Sequence, residues 1–270
     1  MKDALSAALA ASPGIASRHV VREFLQVRLL EGFQDAGATA SLAFHGGTAL
    51  RLLFLTPRFS EDLDFALVPS TDGFDFPALG RSLVNDLEKE GYDVEIAIKT
   101  TTVVQKAFVK FRGLLYEMGV SPLGDETMMV KVEVDTDPPA GSVLLTSRVP
   151  RSFGASVRVL HHDQASLLAG KTAAVLTREW VKGRDVFDLV WYVSNPAWPA
   201  PNLTMLNAAV VQSGWSGPLI TAENWRRLAW ERLSRDADWA AVKTDVERFV
   251  LKTTDVESVT ADAVRQALGQ

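Results

Sequence analysis

Two aspartates one residue apart, Asp62 and Asp64, stand in the segment Arg58-Phe59-Ser60-Glu61-Asp62-Leu63-Asp64-Phe65. The apolar run from Leu63 to Val68 reads as a buried strand. On a strand alternate side chains share a face, so both carboxylates point one way while Leu63 and Phe65 face a core. Carboxylates about 7 Å apart repel each other unless a cation sits between them. Such oxygen ligands suit Mg²⁺ or Mn²⁺, which keep waters and accept phosphate oxygens as further ligands. Glu61 falls on the opposite face and is a poor ligand. Upstream, Phe44-His45-Gly46-Gly47-Thr48 reads as a short strand feeding a tight turn, with Thr48 opening a helix through Phe54. Small residues at a helix start let backbone N–H groups approach a phosphate, and Thr48 adds a hydroxyl donor. Alone, either pattern is common: a solvated strand edge, or a plain turn. One strand–helix step apart, they describe a phosphate and metal site.

A third carboxylate would complete a two-metal centre. Lys131-Val132-Glu133-Val134-Asp135 offers Glu133 and Asp135 on one strand face. Glu133, mid-strand, is the first choice and Asp135, at the strand end, the second. Further on, Gly170-Lys171-Thr172-Ala173-Ala174 precedes Arg178, Lys182, Arg184-Asp185 and Asp188. Helical spacing lets Lys171 and Arg178 share a face. A lysine there offers a point charge to a triphosphate, and Arg178 or Arg184 offers forked contacts. Asp185 could orient Lys171 or the acceptor, or fix Arg178, and the choice between Asp185 and Asp188 as the functional carboxylate stays open. As part of an exposed salt bridge Lys171 would contribute under about 1 kcal/mol, so Lys171→Ala is expected to leave the melting temperature hardly moved.

Gly46-Gly47-Thr48 followed by Arg58-x-Ser60-x-Asp62-x-Asp64 resembles the nucleotidyltransferases of the AbiEii/AbiGii toxin family, which includes the MenT toxins. That family belongs to the DNA polymerase β-like superfamily. The Lys171, Arg178, Arg184-Asp185 and Asp188 pattern is similar to its helical signature. The matches span roughly residues 42–190, with residues 49–61 forming a slightly long gap. The resemblance implies catalytic roles for Asp62, Asp64, Glu133, Lys171 and Asp185, with Asp62, Asp64 and Glu133 on the metal. It implies substrate contacts from Gly46, Gly47, Thr48, Arg58, Ser60, Arg178 and Arg184. The reaction it implies is metal-dependent transfer of a nucleoside monophosphate from an NTP to an acceptor hydroxyl, the 3′ end of tRNA foremost. It also implies a toxin with a cognate antitoxin protein. Antibiotic-modifying nucleotidyltransferases share the same Gly-Ser/Thr and Asp-x-Asp logic. A degenerate site that only binds nucleotide is the third reading.

The elements that must position these residues follow from periodicity. Residues 17–36 carry apolar positions at helical spacing, and Gly37 stops them. A Pro/Gly-containing loop leads to a helix near Pro77–Glu90, and strands are expected at Val94–Ile98, Val103–Phe111 and Met128–Val134. All 7 tryptophans lie at or beyond Trp180. From Asp163 the pattern is helical, with candidate helices near 163–177, 184–194, 203–212, 221–234, 237–251 and 255–268. The fold class is therefore α+β: a nucleotidyltransferase-type mixed sheet flanked by helices in residues 1–155, and an all-helical domain in 156–270 completing the active cleft. Trp191, Trp225, Trp230 and Trp239 read as helical core.

Composition narrows the partners. With a net charge of −5, the chain is not a general nucleic-acid coat, and a basic patch must be local. Cysteine is absent, which excludes disulfides, thiol catalysis and cysteine-bound zinc, and fits a cytoplasmic protein. His161 and His162 are adjacent, so on a strand they face opposite ways and do not pair on a metal. No apolar run is long enough for a membrane span.

Overall fold

Alternating segments of the first half pair into one mixed sheet. The computed structural model describes residues 2–11, 17–68, 74–150, 153–250, 256–257 and 259–270. Its strands are β1 (Leu42–His45), β2 (Asp62–Leu67), β3 (Val94–Lys99), β4 (Val104–Arg112), β5 (Thr127–Asp135), β6 (Leu144–Arg148) and β7 (Arg158–His162). They stand in the order β3-β4-β5-β2-β1-β7-β6. The β2–β5 and β1–β7 pairs are parallel, whereas β1–β2, β3–β4 and β4–β5 are antiparallel. This is the mixed, helix-flanked α+β architecture expected from the sequence.

The chain divides into two units. Met1–Leu55, Phe59–Asp137 and Thr146–His161 form the first, and Thr56–Arg58, Pro138–Leu145 and His162–Gln270 the second. In the first unit the sheet carries α1 (Lys2–Ala10), α2 (Ser17–Asp35), α3 (Gly46–Phe54), α4 (Phe76–Lys89) and the short α5 (Leu114–Glu117). The apolar stripe of α2, from Val20 to Phe33, is buried. Phe33 meets Phe65 of β2 edge-on at 5.4 Å, and Phe65 meets Phe44 of β1 at 5.3 Å. Burying each such ring stabilises the fold by roughly 1.5–3 kcal/mol. Because strand residues alternate, clamping Phe65 and Leu63 inward leaves Asp62 and Asp64 on the other face of β2.

The second unit holds α6 (Gln164–Thr177), α7 (Gly183–Val193), α8 (Leu203–Gln212), α9 (Trp225–Asp236), α10 (Trp239–Glu247) and α11 (Ala261–Ala267). Leu189, Leu206, Ala229, Leu233 and Val246 are fully buried in its core, with Trp225 beside them and Trp191, Trp230 and Trp239 packed against it. Among the described residues no helix is long and apolar enough to cross a membrane.

Some elements differ from their sequence-based bounds, each for a local reason. Helix α3 starts at Gly46 rather than Thr48, so the glycine pair itself forms the first turn. Helix α9 starts at Trp225 rather than near 221. The Asn224 side chain accepts from the Thr221 amide and donates to the Leu219 carbonyl, closing a local turn just ahead of the helix. Helix α11 starts after Thr260, whose hydroxyl accepts from the Ala263 amide. Strands β6 and β7 and helices α1 and α5 have no counterpart in the sequence-based expectation. The expected loop around Pro69 and Gly73, and the expected helix ends at Leu251 and Asp255, lie outside the described residues.

Candidate active site

The register of three strand pairs assembles an acidic row. Asp64 of β2 stands opposite Glu133 of β5 on one side and His45 of β1 on the other, and Lys106 of β4 stands opposite Glu133. One step along, Asp62 is opposite Lys131. Val132 and Val134 point into the core, which turns Lys131, Glu133 and Asp135 to the face of the two aspartates. Lys131 Nζ lies 2.8 Å from Asp62 Oδ2 and 3.0 Å from Glu133 Oε2, while Lys106 Nζ lies 3.1 Å from Glu133 Oε1. Burial pushes the Asp62 carboxyl above its ordinary value, and the Lys131 hydrogen bond offsets this only in part. Burial also opposes the charge on Glu133, yet hydrogen bonds from Lys131 and Lys106 outweigh it and hold that carboxyl low. Asp135 sits past this row, opposite Ala66, where burial raises its carboxyl and the Asp137 amide donates to it at 3.1 Å. Glu61 precedes the strand and pairs with Arg22 at 3.6 Å.

The Gly46-Gly47 turn abuts this row. Gly46 has φ +79°, and a Cβ built on it would lie 2.3 Å from Asp64 Oδ2. Both facts require glycine there. The first amides of α3 have no partners within the helix, as at any helix start. Thr48 departs from expectation. Its side chain is fully buried, and its hydroxyl donates to the main-chain carbonyl of Asp62. Thr48 therefore ties the helix start to the acidic strand instead of presenting a donor to phosphate. Half-buried Ser60 has its carbonyl held by Gln26 Nε2 at 3.1 Å. Gly46→Ala is expected to cut transfer activity more than tenfold, since the methyl must displace the Asp64 carboxylate. The left-handed backbone adds a cost of about 1–3 kcal/mol. Steady-state rates and a melting curve would show both, and an unchanged rate would count against the close approach.

The donor chemistry of Asp62 and Asp64 fits a hard divalent cation whose remaining ligands come from water and substrate phosphate. Glu133 stands opposite Asp64 across the parallel β2–β5 register. Both of its oxygens carry lysine ammonium groups, and among the described residues no group of three His, Asp or Glu side chains is arranged to hold a metal ion. In this row Glu133 anchors the two lysines beside Asp62 and Asp64. Sequence reasoning gave Lys131 no role, although the period-2 rule already placed it on the face of Glu133.

In the second unit, α6 and α7 bring Lys171, Asp185 and Asp188 together. Asp185 and Asp188 are three residues apart on α7, hence on one face. Lys171 Nζ lies 2.7 Å from Asp188 Oδ2 and 3.1 Å from Asp185 Oδ1, and Arg178 lies 3.3 Å from Asp185 Oδ2. Arg58 forks onto Asp188, with Nε 2.6 Å from Oδ1 and Nη2 2.5 Å from Oδ2. Arg58 and Asp188 are 2% and 0% exposed, so Arg58 is a buried brace and not the substrate contact expected of it. Burial opposes the charges on Arg58 and Lys171, but Asp188 outweighs it and raises both. Burial likewise opposes ionised Asp185, but Lys171 and then Arg178 hold its carboxyl low. Arg184 turns elsewhere. Its amide and guanidinium reach Asp245, and its side chain covers the Phe249 ring at 4.3 Å. A Cβ on Gly183 would lie 2.1 Å from the Val242 carbonyl, so glycine there lets α7 meet α10 closely.

This geometry revises the expectation for Lys171. Its ammonium separates two buried carboxylates, so a neutral side chain leaves them facing each other. Lys171→Met is expected to cost about 1–3 kcal/mol and to lower the melting temperature visibly. A melting temperature equal to wild type would return Lys171 to the status of an exposed ion pair.

Residues 28–269 match the model of the family described as "Nucleotidyl transferase AbiEii toxin, Type IV TA system". Among curated proteins none matches the sequence. Among solved structures, the fold is similar to MenT4, nucleotidyltransferase toxin Rv2826c from Mycobacterium tuberculosis H37Rv. That match has a TM-score of 0.53 and 20% identity over 100% of this chain and 94% of that one. It is also similar to JHP933 from Helicobacter pylori, with a TM-score of 0.54 and 17% identity over 93% of this chain and 92% of that one. At these identities the structural matches speak for the fold, and the family match speaks for the activity. The chain belongs to the AbiEii nucleotidyltransferase toxin family of type IV toxin–antitoxin systems.

Proposed function

We propose that the chain transfers a nucleoside monophosphate from an NTP to the terminal hydroxyl of an RNA, with the 3′ end of tRNA as the acceptor. The observation that carries this reading is the row from Glu133 through Asp64 to His45, which runs directly into the Gly46-Gly47 helix start. Asp62 and Asp64 hold Mg²⁺ or Mn²⁺, which when bound neutralises phosphate charge and lowers the cost of the displacement. The amides of Gly46 and Gly47 receive phosphate oxygens. Glu133 stays ionised between its two lysines, so it contributes charge and position and takes up no proton. In the reaction a bond forms from the acceptor oxygen to the α-phosphorus as the bond to pyrophosphate breaks, and the hydroxyl proton passes to solvent. As in the family, activity is held in check by a cognate antitoxin, and the site of action is the cytoplasm.

The test is incubation with each labelled NTP, Mg²⁺ and total RNA. Label should enter a small RNA at its 3′ end and should be lost with Asp64→Asn. Label on an aminoglycoside with none on tRNA would overturn the RNA acceptor.

A further inference from the structure

The acidic face contains its own cation. Lys131 Nζ sits within 3.0 Å of carboxylate oxygens from two strands, Asp62 on β2 and Glu133 on β5. It is placed there by the parallel register, which sets Lys131 directly opposite Asp62. Lys106 holds the other oxygen of Glu133 at 3.1 Å, so Glu133 keeps a cationic partner whatever Lys131 does. Like charges on facing strand positions destabilise a sheet, and four carboxylates, Asp62, Asp64, Glu133 and Asp135, share this face. An ammonium between them removes that repulsion when no divalent ion is present. An ammonium and a divalent ion cannot both sit against the same oxygen of Asp62. The four-carbon stem of lysine lets it swing away, which a planar guanidinium on a shorter path does less readily.

We propose that Lys131 is the resident counter-cation of the metal pair: it holds Asp62 in place in the metal-free protein and its charge competes with a divalent ion for that carboxylate. This rests on the reading that Asp62 and Asp64 hold the ion. Lys131 is thus a positioning residue that sets metal affinity, acting through Asp62 and not on substrate.

The test is Mn²⁺ binding to the full chain, followed by calorimetry and by the electron spin resonance of free Mn²⁺, with no nucleotide present. Lys131→Met should tighten binding about tenfold or more. It should also lower the metal-free melting temperature and enlarge the rise that saturating Mn²⁺ produces. Lys131→Gln should do the same if the Met variant folds poorly. Equal or weaker Mn²⁺ binding in the neutral variants, with Asp64→Asn abolishing binding, would overturn the role of Lys131 and leave the metal pair standing. Wild-type Mn²⁺ binding in Asp64→Asn would overturn the metal pair and this inference with it.

Discussion

Asp64→Asn should lower nucleotide transfer by at least about a thousandfold while the melting temperature stays within a few degrees of wild type. The amide keeps the shape of the carboxylate but loses its charge, and charge is what a divalent ion and the developing phosphate charge require. Loss of one preorganised electrostatic partner costs about 3–4 kcal/mol in the transition state, and loss of a metal ligand costs at least as much. Stability should survive because Asp64 lies on a crowded acidic face of half-buried residues, where removing one negative charge relieves repulsion. Asp62→Asn should act similarly on rate, with Lys131 retained by Glu133 at 3.0 Å. Single-turnover rates beside a melting curve would decide the matter. Transfer within tenfold of wild type in either variant would remove the aspartates from the reaction.

Arg58→Met should have the opposite signature, a large loss of stability. Asp188 is 0% exposed and takes both Arg58 contacts, at 2.6 and 2.5 Å. Removing one partner of a buried ion pair leaves an uncompensated charge and costs about 3–5 kcal/mol. For a unit of this size that corresponds to a fall in melting temperature of about ten degrees or more. Lys171 still reaches Asp188 at 2.7 Å, which keeps the cost toward the lower end of that range. Arg58→Lys, with charge but no fork, should fall between wild type and Arg58→Met. Were Arg58 a substrate contact, as the motif alone suggests, the melting temperature would hold and the apparent NTP affinity would fall. That pattern would refute the brace.

Local periodicity determined much of the site by itself. The period of 2 along Asp62-Leu63-Asp64-Phe65 was enough to put both carboxylates on one face, because Leu63 and Phe65 had to be buried. The same rule on Lys131 to Asp135 presented Glu133, and helical spacing put Asp185 and Asp188 on one side of α7. The mixed sheet and the helical second half were legible for the same reason, since burial of an apolar face is a property of each segment. Partners were not legible, because pairing joins residues far apart in sequence. Only the parallel β2–β5 register set Lys131 against Asp62 and made Glu133 an anchor for lysines. Only tertiary packing turned Arg58 inward onto Asp188, 130 residues away, and Thr48 onto the Asp62 carbonyl. Which polar group faces substrate and which is consumed inside the fold depends on such long-range contacts. In this chain the side-chain types that could do chemistry were written in the sequence, and their division between chemistry and bracing was decided by strand register and helix packing.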